Sequence, residues 1–365
     1  MSDFPFTTLA AGLPRTVPFV GPETQERQSG RPFRARLGAN ESAFGPSPRA
    51  IEAMAQAARD VWKYGDPENF DLKSALTNHH GVARDEIMVG EGIDGLLGYL
   101  CRLLVEPGVT VITSDGAYPT FNYHVVGFGG NLVKVPYRED AEDPAALAQA
   151  AQDTGARLVY LANPDNPMGT FHSAERVAAL ANALPERCLL VLDEAYVEFL
   201  PELPLPMLPL LPNVIRFRTF SKAYGMAGAR VGYAIGPAPL ISAFDSIRNH
   251  FGMSRVSIAG ALAALDDQAW LGDVVSKVAS ARDRIGQIAV KNGLAPLPSA
   301  ANFVALDCGG DGQRAKALLQ ALIERGVFVR MPFVPPQDRC IRISAGTQAD
   351  LDVLDEALPD ALTVI

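Results

Sequence analysis

A lysine set among small and apolar residues is the first place in this 365-residue sequence where side chains could do covalent chemistry. It is Lys222, in Thr219-Phe220-Ser221-Lys222-Ala223-Tyr224-Gly225-Met226-Ala227-Gly228-Ala229-Arg230. Burial lowers the pKa of an amine and leaves it nucleophilic near neutral pH. Such an amine forms a Schiff base with an aldehyde. Ser221 beside it and Arg230, eight residues on, bring a hydroxyl and a fixed guanidinium, the groups that hold a phosphate. A second constellation is Leu189-Leu190-Val191-Leu192-Asp193, an apolar run ending in an acid, with Tyr196 three residues later. The carboxyl ends of buried strands carry the ligand sites of α/β sheets. A carboxylate buried there needs a partner, and a protonated ring nitrogen would serve. Tyr196 offers a phenol to a ring oxygen; the bland alternative is a helix-capping acid and a core tyrosine. The turn Asn163-Pro164-Asp165-Asn166-Pro167 is made rigid by two prolines and presents Asn166 as a donor.

A fourth feature points two ways. Gly90-Glu91-Gly92-Ile93-Asp94-Gly95 has the spacing G-x-G-x-x-G between a strand and a helix pattern, and Asp115 lies 20 residues beyond Gly95. That is the form of a dinucleotide fingerprint. Free N–H groups at a helix start suit any phosphate, however, and Asp94 could equally cap the helix.

Positioning these groups requires alternating strands and helices. Short apolar runs are expected as strands at 86–89, 109–113, 132–135, 158–162, 189–193, 214–219 and 231–235. Helical patterns at 94–104, 145–154 and 174–184 separate several of them. Such alternation predicts a mainly parallel sheet covered on both faces. Residues 1–47 read as an extended arm. Ser47-Pro48 then starts a helix that places Ile51, Met54, Ala55 and Ala58 on one face. From about 256 a long Ala-rich helical region runs to 291. Strands at 302–307, 327–330 and 340–344 and helices at 314–324 and 349–358 follow, a compact α+β unit. The expected division is a large cofactor-binding domain at 51–255, with 1–50 and 256–365 forming the arm and small domain.

Composition narrows the function classes. With 48% hydrophobic residues the chain is globular, and a formal charge of −9 opposes nonspecific binding to nucleic acid or anionic membranes. No run reaches about 18 apolar residues, and the N-terminal residues lack a signal-peptide pattern, so a cytoplasmic protein is expected. The four cysteines show no metal or redox spacing, and no two histidines stand at i, i+4. No metal is expected.

These residues resemble a known family. Residues 219–228 resemble the lysine signature of class-II aminotransferases, and the chain resembles fold-type I pyridoxal-phosphate enzymes, within them the histidinol-phosphate aminotransferase group. Leu37-Gly38-Ala39-Asn40-Glu41-Ser42-Ala43-Phe44-Gly45-Pro46-Ser47-Pro48 resembles L-x-x-N-E-N-P-x-G-P-S-P, which contributes Asn40 to the substrate side. Residues 163–170 resemble N-P-N-N-P-T-G-T, and Cys340-Ile341-Arg342-Ile343-Ser344-Ala345-Gly346 resembles C-L-R-I-T-V-G. The resemblance implies an aspartate-aminotransferase-like fold with a seven-stranded-type sheet, pyridoxal 5'-phosphate as cofactor, and amine and 2-oxo acid substrates. It implies that Lys222 carries the cofactor and that Asp193 pairs with the ring nitrogen. Tyr196 and Asn166 would bond the ring oxygen. Ser221, Arg230 and the N–H groups around Ile93 and Asp94 would hold the phosphate, and Phe121 would stack on the ring. Tyr64 would reach the phosphate in a partner subunit, implying a homodimer. Arg342 would bind the substrate carboxylate, and Arg330 the anion of a phosphorylated substrate. Histidinol phosphate with 2-oxoglutarate is the implied pair. An aminotransferase of aromatic or other amino acids, a pyridoxal-phosphate decarboxylase or lyase, and a nicotinamide-dependent oxidoreductase using the 90–95 glycines are the alternatives. The sequence departs from the family at Phe121 (for Tyr), Gly65 (for Pro), Gly95 (for Glu), Met168 (for Thr) and Phe19 (for Tyr after Pro18).

Overall fold

The computed structural model describes residues 4–15, 20–200 and 210–365. The departure at Pro18-Phe19 lies outside them. In chain order the strands are β1 (Ala35–Arg36), β2 (Ile87–Gly90), β3 (Thr110–Ser114), β4 (Asn131–Val135), β5 (Leu158–Ala162) and β6 (Leu189–Asp193). They continue as β7 (Val214–Thr219), β8 (Gly232–Ile235), β9 (Ala295–Pro296), β10 (Phe303–Asp307), β11 (Val327–Phe328) and β12 (Cys340–Ser344).

Seven of these form one sheet in the order β2-β8-β7-β6-β5-β3-β4. Every pairing is parallel except the two made by β8, which runs against both neighbours. Strand alternation divides the core between two faces. Leu158, Tyr160, Val191, Ile215 and Phe217 meet the helices Gly92–Leu104 and Thr120–Gly127 on one side. Val159, Leu161, Leu190, Leu192 and Val214 meet Pro144–Thr154 and Ala174–Ala183 on the other. Both faces are covered, which is why the strands read as unbroken apolar runs. Asp143 starts one of the covering helices by accepting the Ala145 and Ala146 N–H groups, ahead of Pro144.

The second unit is the antiparallel sheet β12-β10-β9 packed against the helices Gln268–Lys291, Gly312–Glu324 and Gln348–Leu362. The chain before residue 48 is not simply extended. It contains the helices Thr8–Gly12 and Pro22–Ser29, and β1 pairs in parallel with β11, so the arm is stitched into the small unit. The helical region expected from 256 to 291 is two helices, Arg255–Asp266 and Gln268–Lys291. Asp267 breaks it by turning its carboxylate onto the Trp270 N–H. The first of these helices packs on Pro48–Ala57 and Phe70–His80 beside the large sheet. Gly260 permits the close crossing, since a Cβ there would lie 2.7 Å from Met54 Cγ. The face of Pro48–Ala57 that packs carries Ala50 and Met54, and Ile51, Ala55 and Ala58 are exposed instead. Among the described residues no helix is long and apolar enough to cross a membrane.

Candidate active site

A cavity of about 730 Å³ opens at the carboxyl ends of the parallel strands. Residues 116–120 follow β3, Asn166 follows β5, Asp193 ends β6, and Ser221 and Lys222 follow β7. Because β8 is antiparallel, its beginning lies at this same edge and brings Arg230 back to the site. Residues 38–41, 330–334 and Arg342 close the cavity from the small unit.

Lys222 is half-buried, and its Nζ donates to the Asn40 carbonyl at 3.1 Å. Burial pulls its pKa down from 10.5 to about 8. Asn40 is held in the left-handed region (φ 54°). Its N–H donates to Ser344 Oγ, its Oδ1 accepts from the same hydroxyl, and its Nδ2 donates to Tyr196 Oη at 3.0 Å. Asn166 Nδ2 donates to the same phenol at 3.3 Å. Burial pushes Tyr196 up to about 12, so it stays a neutral phenol. Asp193 is buried at the cavity floor. Its Oδ2 accepts from Tyr160 Oη at 2.7 Å and its Oδ1 from the Ala195 N–H at 3.0 Å. Burial raises its pKa, and these two donors oppose that.

Arg230, Ser221 and the start of helix Gly92–Leu104 form a cradle. Arg230 Nη1 donates to Ser221 Oγ at 3.4 Å, and Thr219 Oγ1 lies 2.9 Å from that hydroxyl. Gly92 has φ +79°, and a Cβ on it would sit 2.6 Å from Arg230 Nη2, so the approach of the guanidinium to the helix start depends on glycine. The helix has no side-chain cap, which leaves its first N–H groups open. Asp94 does not cap it. Its carboxylate accepts from His124 Nε2 at 2.8 Å instead. The fingerprint reading fails on topology as well: among the described residues β2 is an edge strand, antiparallel to its neighbour β8, and Asp115 pairs with Lys134.

Arg330 and Arg342 stand directly opposite each other across an antiparallel bridge and therefore share a face. Both line the cavity. Arg342 donates to Asn166 Oδ1 at 2.5 Å and to the Gly38 carbonyl at 3.1 Å, and its buried Nε has no partner among the described residues. Arg330 donates to the Val20 carbonyl at 2.8 Å. Strand alternation could have turned Arg330 to solvent; the bridge turns it inward.

Two expected residues lie elsewhere. Phe121 is fully buried under the sheet, stacked on Tyr160 with centroids 4.8 Å apart, and does not line the cavity. Its position within the helix Thr120–Gly127 faces the core, whereas Tyr118 in the turn before that helix lines the cavity. Tyr64 is 78% exposed beside Phe251, away from this chain's cavity lining. Sequence reasoning passed over Tyr160, whose signal was a lone phenol in a buried strand. It also passed over Tyr118, an aromatic in the turn that ends β3.

The family model of class I and II aminotransferases matches residues 35–358. A histidinol-phosphate aminotransferase from Sinorhizobium meliloti, solved in complex with pyridoxal-5'-phosphate, superposes with a TM-score of 0.95 and 56% identity, covering 99% of this chain and 98% of that one. The histidinol-phosphate aminotransferase of Bacillus velezensis is 36% identical over 318 residues, 86% of this chain and 87% of the relative. An aspartate aminotransferase from Thermus thermophilus with maleate shares the fold, with a TM-score of 0.78 at 24% identity and coverage of 92% and 93%.

Proposed function

We propose, on the premise that this chain belongs to the class I and II aminotransferases, that it moves an amino group from histidinol phosphate to 2-oxoglutarate with pyridoxal 5'-phosphate as cofactor. The observation that carries the substrate is the pair Arg330 and Arg342, two guanidiniums converging on one cavity that also holds a lysine amine of lowered pKa. Two cations in one pocket suit a substrate phosphate in one half-reaction and a second carboxylate in the other.

The residues fit the cofactor. Asp193 is a buried carboxylate at the cavity floor with room beside it for a cationic partner, and a glycine opens the cradle at Arg230 for an anion. When bound, the cofactor supplies an electron sink for the pair released at the substrate α-carbon. Lys222 is its covalent anchor. Asp193, oriented by Tyr160, keeps the ring nitrogen protonated, and Tyr196 with Asn166 supports the ring oxygen. Ser221, Arg230 and the N–H groups of Ile93 and Asp94 hold the phosphate at the helix start. Tyr118 rather than Phe121 provides the aromatic wall. With the cofactor bound, Lys222 Nζ would be the group that takes the proton from the substrate α-carbon as general base and gives the same proton up to the cofactor side as general acid. Arg342, braced by Asn166, binds the substrate carboxylate when there is one, and Arg330 binds the phosphate. Asn40 fixes both Tyr196 and Lys222 from the substrate side.

A homodimer that shares its active sites belongs to this reading. Tyr64 and Phe251 are both exposed with ring centroids 5.0 Å apart, an apolar pair of the kind that partners cover. Tyr64 would cross that interface to the partner's cradle.

The test is a half-reaction panel. Histidinol phosphate, glutamate and aromatic amino acids are added singly to the holoenzyme while the absorbance of the Lys222-bound cofactor is followed. Histidinol phosphate should discharge it at least tenfold more efficiently than any aromatic amino acid. If an aromatic amino acid wins, the substrate is wrong. If an amine is consumed with release of carbon dioxide, transamination is wrong.

A further inference from the structure

Two side chains beside the cofactor cradle, Glu91 directly before Gly92 and Tyr99 two turns on, do not line the cavity. Tyr99 Oη donates to Glu91 Oε1 at 3.2 Å and accepts from the Asn249 N–H at 3.0 Å. The Glu91 carboxylate lies against Gly252, where a Cβ would overlap Oε1. Arg102 donates to the Ile247 carbonyl at 3.0 Å. Residues 91, 95, 99 and 102 fall at helical spacing, so these three grips share one face, with Gly95 among them. A Cβ at Gly95 would lie 3.6 Å from Glu91 Oε2. A glutamate there, as in the family, would start a second acidic side chain against the first.

The segment gripped in this way, 247–255, in turn holds the stretch that carries Tyr64. Arg255 Nη2 donates to the Tyr64 carbonyl at 2.9 Å, and Arg248 Nη2 donates to the Pro67 carbonyl at 2.8 Å. The Phe251 ring tilts at 46° against the Tyr64 ring, with centroids 5.0 Å apart. Gly65 permits the approach, since a Cβ there would lie 2.7 Å from the Met253 carbonyl oxygen and the family's proline would clash. Two departures from the family, Gly65 and Gly95, therefore belong to one contiguous set of contacts. That set runs from the residue before Gly92 to a phenol that is 78% exposed. A side chain so exposed has little packing of its own to fix its direction, and what lies beneath it must do so.

We propose that Glu91 and Tyr99 are positioning residues that hold segment 247–255 as the platform on which Tyr64 is aimed, so that the helix forming one subunit's phosphate cradle also sets the tyrosine that completes its partner's. This rests on the reading that Tyr64 crosses to the partner's cradle. The role is exerted in trans. A subunit altered at residue 99 weakens its neighbour's hold on the cofactor and leaves its own intact.

The test pairs different chains in one holoenzyme. A Tyr99→Phe chain is co-expressed with a differently tagged Lys222→Ala chain, and the mixed dimer is purified. Its one remaining Lys222 lies on the Tyr99→Phe chain and is served by Tyr64 on the other chain's unaltered platform. Borohydride reduction after timed dialysis, read by mass spectrometry, counts the Lys222 that still holds pyridoxal 5'-phosphate. Tyr99→Phe homodimers should lose cofactor at least threefold faster than wild type, and the mixed dimer should lose it at the wild-type rate. Fast loss that persists in the mixed dimer means that Tyr99 acts on its own cradle, and overturns the proposal. Homodimers that retain cofactor like wild type overturn it as well. Gly252→Ala, which drives the Glu91 carboxylate off the segment, should reproduce the same pattern and decides the matter if Tyr99→Phe fails to fold. Tyr64→Phe in the same pairing separates the two readings. If it loses cofactor as a homodimer and recovers in the mixed dimer while Tyr99→Phe does not, the platform alone is wrong. If Tyr64→Phe homodimers retain cofactor like wild type, the shared site is wrong and the platform falls with it.

Discussion

An amine nucleophile has to be uncharged, and at Lys222 burial is the leading cause, with Arg342 and Arg230 adding repulsion. The consequence is measurable without substrate. Between pH 8 and 10.5 the folded apoprotein binds fewer protons at this group than the unfolded chain does, so its stability rises with pH across that window. Thermal melts of apo wild type and Lys222→Met should therefore diverge from pH 8 upward, wild type gaining. Parallel curves would return Lys222 to an ordinary solvated pKa. Asp193 carries the opposite demand, a charge kept in a dry place. Asp193→Asn keeps its shape and removes that charge. Loss of about 3 kcal/mol in the transition state corresponds to a fall in kcat of at least about two orders of magnitude. Stopped-flow rates near wild type would refute the pairing. Arg330→Ala should raise the KM for histidinol phosphate tenfold or more and barely alter turnover of a plain amino acid, a comparison made with the same preparation in parallel assays.

At the scale of elements, the segment from the end of β7 to the start of β8 does most of the assembly, since it carries Ser221, Lys222 and Arg230 between two paired strand ends. Its turn is held by Gly225, at φ +70°, where a Cβ would fall 2.3 Å from the Gly45 carbonyl carbon. Gly225→Ala should cost about 2 kcal/mol or more, because left-handed backbone and a backbone clash act together. Urea unfolding measures it, and a cost under about 0.5 kcal/mol would show that the turn yields. Most strands were legible because their burial on two faces writes apolar runs into the chain, as at β5 and β6. The helices Phe70–His80 and Thr120–Gly127 were not, since few of their residues are buried and their apolar periodicity is weak. Lys222 and Asp193 were conspicuous because each is a charge set among apolar residues, and Arg230, itself exposed, because of its spacing from Ser221. Tyr160 and Tyr118 were not, because a phenol in a strand or turn looks like core until its partner is seen. Phe121 was misplaced because motif position does not reveal which side of a short helix meets the sheet.

The whole molecule leaves Tyr64 78% exposed, in the same stretch as exposed Trp62. If Tyr64 completes the partner's phosphate cradle, Tyr64→Phe should weaken cofactor retention severalfold while the dimer persists, as followed by dialysis and light scattering. A fully active monomer on dilution would contradict the shared site. The antiparallel β8 has a consequence for the order in which the molecule comes into being. Among the described residues β2 has no neighbour in the sheet other than β8, and the two are about 140 residues apart in the chain. Until residues 232–235 leave the ribosome, the strand that leads into the helix Gly92–Leu104 lacks its partner β8, and Arg230 has no cradle to enter. Contacts so distant in sequence form late. A nascent chain therefore cannot hold its cofactor while its first half folds, and loading must wait until β8 has slid between β2 and β7.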